Sequence, residues 1–221
     1  MKFATAGRFS ALWRRCHPGA DALDPAPVYA DLVARYGEPH RRYHTLGHID
    51  DCLERLDRVR DLLPDADAVE MALWFHDAVF DANARDNERR SARYYLDHAA
   101  GATARFQRHV CTMILASNHV GLLSGADLGY MLDIDLAGFG HPWPAFRRTT
   151  DVVRAEYPHL SDAQFAAGMS AFFASLMARP SIFRTDAFRD ACESTARANI
   201  TALRDEWSAA GFLPTSEARQ A

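Results

Sequence analysis

Apolar residues recur along most of the chain at intervals of three and four, the spacing that lines one face of an α-helix. Between Thr45 and Leu63 the residues Ile49, Cys52, Leu53, Leu56, Val59, Leu62 and Leu63 form one such face. Similar faces run from Ala4 to Arg15, Val28 to Tyr36, Thr103 to Ser117, Gly125 to Ala137, Trp143 to Tyr157, Ser161 to Met177 and Asp186 to Trp207. Asp86 to His98 reads as a polar helix whose opening acids suit the helix dipole. The segment Ala66 to Val79 is different, because Val69 to Phe75 is apolar with little interruption and predicts a helix buried on nearly all sides. Pro and Gly punctuate the intervals, and neither strand alternation nor a Gly-rich phosphate loop nor an internal repeat is found. The pattern predicts an all-α fold, a single helical domain over residues 1–221 with its core at about 8–207 and roughly eight to ten helices.

Composition narrows the partners. A chain of 221 residues that is 48% hydrophobic and 24% charged has the balance of an ordinary globular protein. The net charge of −4 gives no drive toward nucleic acid or an anionic membrane. Lys2 is the only Lys among 25 basic residues, and the arginines are spread rather than clustered as a phosphate-backbone tract would be. Neither nucleic acid nor membrane is therefore an expected partner, and a homodimer through a helical surface is compatible with the pattern. Cys16, Cys52, Cys111 and Cys192 form no C-x-x-C pair and read as buried thiols. No signal-peptide pattern opens the chain and no apolar run reaches the length of a membrane span, so a cytoplasmic protein is expected.

Candidate chemistry centres on His76-Asp77, which closes the buried run Val69 to Phe75. A carboxylate and an imidazole at the end of such a segment need a compensating partner, and a divalent cation is one. His44 and His48 stand four apart at a predicted helix start, where two helical histidines would share a face; one core and one solvent histidine would read the same way. Asp133 and Asp135 interrupt an apolar helix at i, i+2, so at most one is expected to ligate directly while the other supports a ligand or caps a neighbour. The mixed imidazole–carboxylate set of His48, His76, Asp77 and one of these two acids suits Mn, Mg, Co, Ni, Fe or Zn. Four protein ligands on an ion that accepts six leave positions for water and substrate.

The order His, His-Asp, Asp on successive helices resembles the HD-domain superfamily of metal-dependent phosphohydrolases. More narrowly, Tyr43-His44-Thr45-Leu46-Gly47-His48-Ile49, the stretch from Trp74 to Asp81 and the stretch from Asp86 to Ala92 are similar to a bacterial subfamily of predicted HD phosphohydrolases. Leu132 to Leu136, Arg154 to Tyr157 and Glu193 to Asn199 extend the resemblance over about residues 8–207. It implies His48, His76 and Asp77 as metal ligands, Asp135 as the fourth, and His119 as a further pocket histidine. Ser117 stands where Thr is expected, and Phe80 replaces a commoner Tyr, removing one hydrogen-bond donor.

On that resemblance the expected activity is hydrolysis of a small phosphorylated molecule such as a nucleotide, the metal acidifying a water. Asp81 or Glu88 would take the water proton. His44, His119 and Arg42 or Arg154 would bind phosphate or protonate the leaving group. Arg154 and Glu156 read first as an internal salt bridge, with phosphate binding by Arg154 the second reading, and Glu193, Arg197, Asn199, Phe172, Phe173 and Phe183 read as structural. Two alternatives stay open: an oxygen-activating di-iron enzyme using His44 and His119 as extra ligands, and a non-catalytic nucleotide- or metabolite-binding module.

Overall fold

The computed structural model describes residues 1–19, 21–121 and 124–214. Ten α-helices and no strand occur among them, so the fold is all-helical. The chain falls into two compact units, residues 1–135 and 136–221.

The first unit holds α1 (Ala6–Cys16), α2 (Pro25–Tyr36), α3 (Leu46–Val59), α4 (Ala66–Phe75), α5 (Asn87–His98), α6 (Ala104–Ala116) and α7 (Ala126–Leu136). Local chemistry sets many of the starts. Thr5, Asp24, Thr45, Asp65 and Thr103 each accept a backbone N–H of the first turn, filling donors that a helix leaves open. Helix α4 is the centre of this unit: Ala68 to Phe75 are all buried, and it packs against α1, α3, α5 and α6. Phe9, Trp13, Trp74, Phe75 and Tyr95 build the aromatic core around it. Its one buried charge, Glu70, lies between the Arg8 Nε and an Arg60 guanidinium nitrogen, each 2.6 Å away.

Two predicted helices are shorter in the structure. Helix α3 ends at Val59, and Arg60–Leu62 form a 3₁₀ turn. Helix α4 stops at Phe75 rather than Val79, with His76 as its C-cap. The reason lies outside the segment. Buried Arg41 donates to the carbonyls of Asp77 (2.7 Å) and Ala78 (3.2 Å), and Ser91 of α5 bonds both the N–H and the C=O of Val79. Backbone groups that a longer helix would satisfy internally are satisfied by side chains instead.

The second unit opens with a 3₁₀ turn, Ala137–Gly140, followed by α8 (Trp143–Arg154), α9 (Asp162–Met177) and α10 (Asp186–Ala209). Helix α9 starts with a capping box between Ser161 and Gln164. Gly140 lies so close to α10 that a Cβ there would stand 2.6 Å from the Cβ of Cys192. Asn199 donates to the carbonyls of Phe139 and His141. The Glu193 carboxylate receives the N–H groups of Ile182 and Phe183 together with Arg197. These α10 residues hold the unit's own turns, as expected, and Phe173 and Phe183 are buried in its core. Among the described residues no helix is long and apolar enough to cross a membrane.

Candidate metal centre

Four elements of the first unit bring side chains to one point. Helix α3 contributes His48, one turn inside its Thr45 cap. The C-cap of α4 and the residue after it contribute His76 and Asp77, and the last turn of α7 contributes Asp135. The loop after α6 adds His119. Ending α4 at Phe75 lets adjacent residues 76 and 77 face one centre, which a continued helix would have turned about 100° apart.

The donor atoms are tightly spaced. His48 Nε2 lies 3.3 Å from His76 Nε2, 3.2 Å from Asp135 Oδ1 and 3.7 Å from Asp77 Oδ2. His76 Nε2 lies 3.1 Å from Asp77 Oδ2 and 3.5 Å from Asp135 Oδ1. Donors bound at about 2.1 Å to one ion are separated by about 3.0 Å at an octahedral edge and about 3.4 Å at a tetrahedral one. The observed spacings, 3.1–3.7 Å, lie just above the octahedral value and on either side of the tetrahedral one, so these residues fit a divalent cation.

Protonation is arranged to match. His76 Nδ1 sits 2.9 Å from the carbonyl oxygen of Leu73. A carbonyl only accepts, so Nδ1 carries a proton and Nε2 is the nitrogen that faces the centre, where an ion can take the place of its proton. Burial disfavours charge on either imidazole, yet Asp77 and Asp135 outweigh it at His76 and raise its pKa. His48 is raised too, against burial, through Cys52, Tyr43 and Asp135. Burial would raise both carboxylates, but the neighbouring imidazoles hold Asp77 and Asp135 well below the usual range. A cluster that gathers protons between its own carboxylates is one in which a cation can replace them.

Asp135, rather than Asp133, is the acid in contact with these histidines. Its Oδ1 faces His48 and His76 while its Oδ2 accepts from His119 Nε2 at 2.8 Å. Asp133 is itself buried. His119 has φ 57°, left-handed backbone that a non-glycine residue adopts at a cost of about 1–2 kcal/mol. Such strain is held where the surroundings over-determine it, and here it aims the ring at Asp135.

The outlying candidates separate into two groups. His44 lies in the turn before α3 rather than on the helix, so no shared helical face relates it to His48. Its ring stacks on Phe80 (centroids 4.2 Å apart), and it is among the imidazoles that hold the Asp77 carboxyl low. Glu88 is half-buried in the first turn of α5. Asp81, in contrast, is the acceptor of a local turn: its Oδ1 takes the backbone and side-chain N–H groups of Asn83, which hold its carboxyl below the usual value. Arg42 is exposed and donates to the carbonyls of Pro39 and Arg41. Arg154 lies in the second unit and is fully occupied there, by Asp162 and by the carbonyls of Tyr157 and Leu160. Its ion pair is with Asp162, and its three donors anchor the turn after α8.

Two residues without a distinctive motif, Arg41 and Cys52, also belong to the site. Arg41 is buried and, besides the Asp77 and Ala78 carbonyls, binds the carbonyl of His44 (3.1 Å) and pairs with Glu38. It ties the His44 turn to the His76-Asp77 turn. Cys52, one helical turn after His48, has its Sγ 3.7 Å from His48 Nε2 and forms a candidate ligand group with His48 and Asp135. A buried thiol was expected there; its i, i+4 relation to His48 was the available signal. Comparison with protein-family models, curated proteins and solved structures finds no match for this chain.

Proposed function

We propose that this centre holds a divalent metal ion through His48, His76, Asp77 and Asp135, and that the protein is a metal-dependent phosphohydrolase of the HD-domain kind. Its substrate would be a small phosphorylated molecule such as a nucleotide. The observation that carries the proposal is the donor spacing, 3.1 to 3.7 Å among side chains from three separate helical segments. The resemblance of the surrounding motifs selects the reaction class. An ion bound there would supply Lewis acidity and lower the pKa of a water molecule.

The chain's own groups then have distinct tasks. The Leu73 carbonyl fixes the His76 tautomer, and His119 fixes the orientation of the Asp135 carboxylate through Oδ2. His44, held flat on Phe80 beside Asp77, is placed as proton donor to a leaving group, and Glu88 remains the candidate base. Asp81 shapes the loop between them, and Arg42 is the candidate phosphate-binding arginine.

Elemental analysis of the purified protein and of Asp77→Ala, followed by a turnover screen over phosphorylated metabolites, tests this reading. We expect stoichiometric metal and phosphate release from the wild type, and neither from the variant. Stoichiometric metal in Asp77→Ala refutes the ligand assignment; metal without turnover on any phosphate ester refutes the reaction. One observation favours a second reading. The two oxygens of Asp135 face different imidazoles, as a bridging carboxylate would, so a second ion on Oδ2 and His119 would support oxidative chemistry. Two equivalents of iron with an iron-type optical spectrum would select it.

A further inference from the structure

A shallow, open cleft of about 570 Å³ on the first unit, lined by Arg35, Val79, Arg89, Arg90, Arg93, Tyr94 and Asp97, is used by none of the chemistry above. Four guanidinium groups from α2 and α5 share it. Arg35 is preorganised: Asp31 fixes its Nε at 2.9 Å, and its plane lies 4.0 Å over the Tyr94 ring, whose hydroxyl bonds the same Asp31.

The three arginines of α5 stand in its first two turns, beginning three residues after the Asp86 cap. Cations there oppose the helix dipole, so this placement is unfavourable for the helix itself and favourable for an anion brought to it. Arg89 pairs with Asp86 and Arg93 with Asp97, both on exposed side chains within one helix. Solvent screens such pairs, and they are readily exchanged for a stronger anion. The Arg90 guanidinium makes no hydrogen bond or ion pair among the described residues, and the nearby carboxylate that feels its charge is Asp81.

We propose that this cleft binds an oligophosphate group, a chain of linked phosphates of the kind carried by small molecules. A single phosphate would engage one fork, whereas linked phosphates can meet Arg90, Arg93 and the fixed Arg35 together through bidentate charge-assisted hydrogen bonds. Arg suits this geometry better than Lys because its planar fork is already set. The proposal is independent of the metal centre and of the reaction assigned to it.

The test is calorimetric titration of the intact protein with sodium tripolyphosphate in low-salt, metal-free buffer. We expect saturable binding that weakens as NaCl is raised. The R90E/R93E variant, altered only at exposed positions, should bind at least tenfold more weakly, with its helical circular dichroism unchanged. R90Q/R93Q serves the same purpose if charge reversal disturbs folding. A His76→Gln variant, altered at the metal centre, should bind within twofold of wild type. Absence of binding to the wild type, an R90Q/R93Q affinity within twofold of wild type, or loss of binding in His76→Gln would each overturn the assignment.

Discussion

Replacing Arg41 by Met tests whether one buried guanidinium holds the metal site in shape. The Arg41 side chain is fully buried, and its nitrogens serve the carbonyls of His44, Asp77 and Ala78 and the carboxylate of Glu38. Methionine keeps much of the apolar stem and removes every donor. A hydrogen bond from a charged donor contributes about 1.5–3 kcal/mol, and stranding a buried acceptor costs about 1–3 kcal/mol. Glu38 is partly exposed and can be rehydrated, so the three carbonyls carry the loss. At the low end of those figures, allowing for a water entering the vacated space, Arg41→Met should destabilise by about 3–6 kcal/mol. That is a large share of the ~5–15 kcal/mol by which domains are stable. Urea unfolding of the metal-free protein, followed by far-UV circular dichroism, measures it. The second readout is metal affinity by chelator competition, at a temperature where the variant remains folded. Loosening the turn that presents Asp77 should weaken affinity about 10–100-fold, as loss of a ligand's supporting partner does. Arg41→Lys should not rescue it, because an ammonium cannot reproduce the fork. A loss below about 1 kcal/mol with unchanged metal affinity would show that the turn holds itself.

Asp50 gives a pH prediction at the chain start. Burial would raise its carboxyl, but the N–H groups of Ala4, Lys2 and Phe3 outweigh it and hold it below its ordinary 3.8. The stability it adds is therefore present above that value and lost as pH falls through the lower folded-state pKa. The difference in urea midpoint between wild type and Asp50→Asn should shrink toward zero in that acid window; a gap that widens there contradicts the sign. His119→Asn retains a residue that tolerates left-handed backbone. It should keep stability within about 1 kcal/mol while weakening metal binding about 10–100-fold, and unchanged affinity by chelator competition would exclude a positioning role. Gly140→Ala should cost about 1–3 kcal/mol of overpacking, because its Cβ would meet Cys192 Cβ and Cα at 2.6 and 2.9 Å. Cys192→Ala should relieve only part of this in thermal melts, since it removes Sγ, met at 2.9 Å, but keeps the Cβ and Cα that are also met.

Much of the helical layout was legible because it depends on local chemistry. Periodic apolar positions and capping residues such as Thr45, Asp65 and Ser161 act within a few residues of themselves, and all ten helices lie where that pattern puts them. The buried character of Val69 to Phe75 was legible for the same reason, since a segment apolar on all sides has no face to give to water. His76 and Asp77 could be singled out as polar groups at the edge of such a segment, and His48 by its place at a helix start. What composition and spacing left open was geometry. His44 and His48 look like a helical pair, yet the Thr45 cap starts α3 after His44.

The end of α4, the choice of Asp135 and the work of Arg41 were decided only by tertiary structure. Helix propensity alone would carry α4 through Val79; Arg41, 36 residues before Asp77, and Ser91, 12 residues after Val79, stop it by capturing its backbone groups. Arg154 shows the reverse case, a suggestive motif residue whose donors are spent on its own turn. Periodicity reports which side of a helix meets the core. It carries no record of which distant residue waits there, because that partner is brought in by the packing of other helices. The sequence by itself therefore determined a helical protein with histidines and acids at buried edges, and packing over long separations decided that they meet within 3.1–3.7 Å.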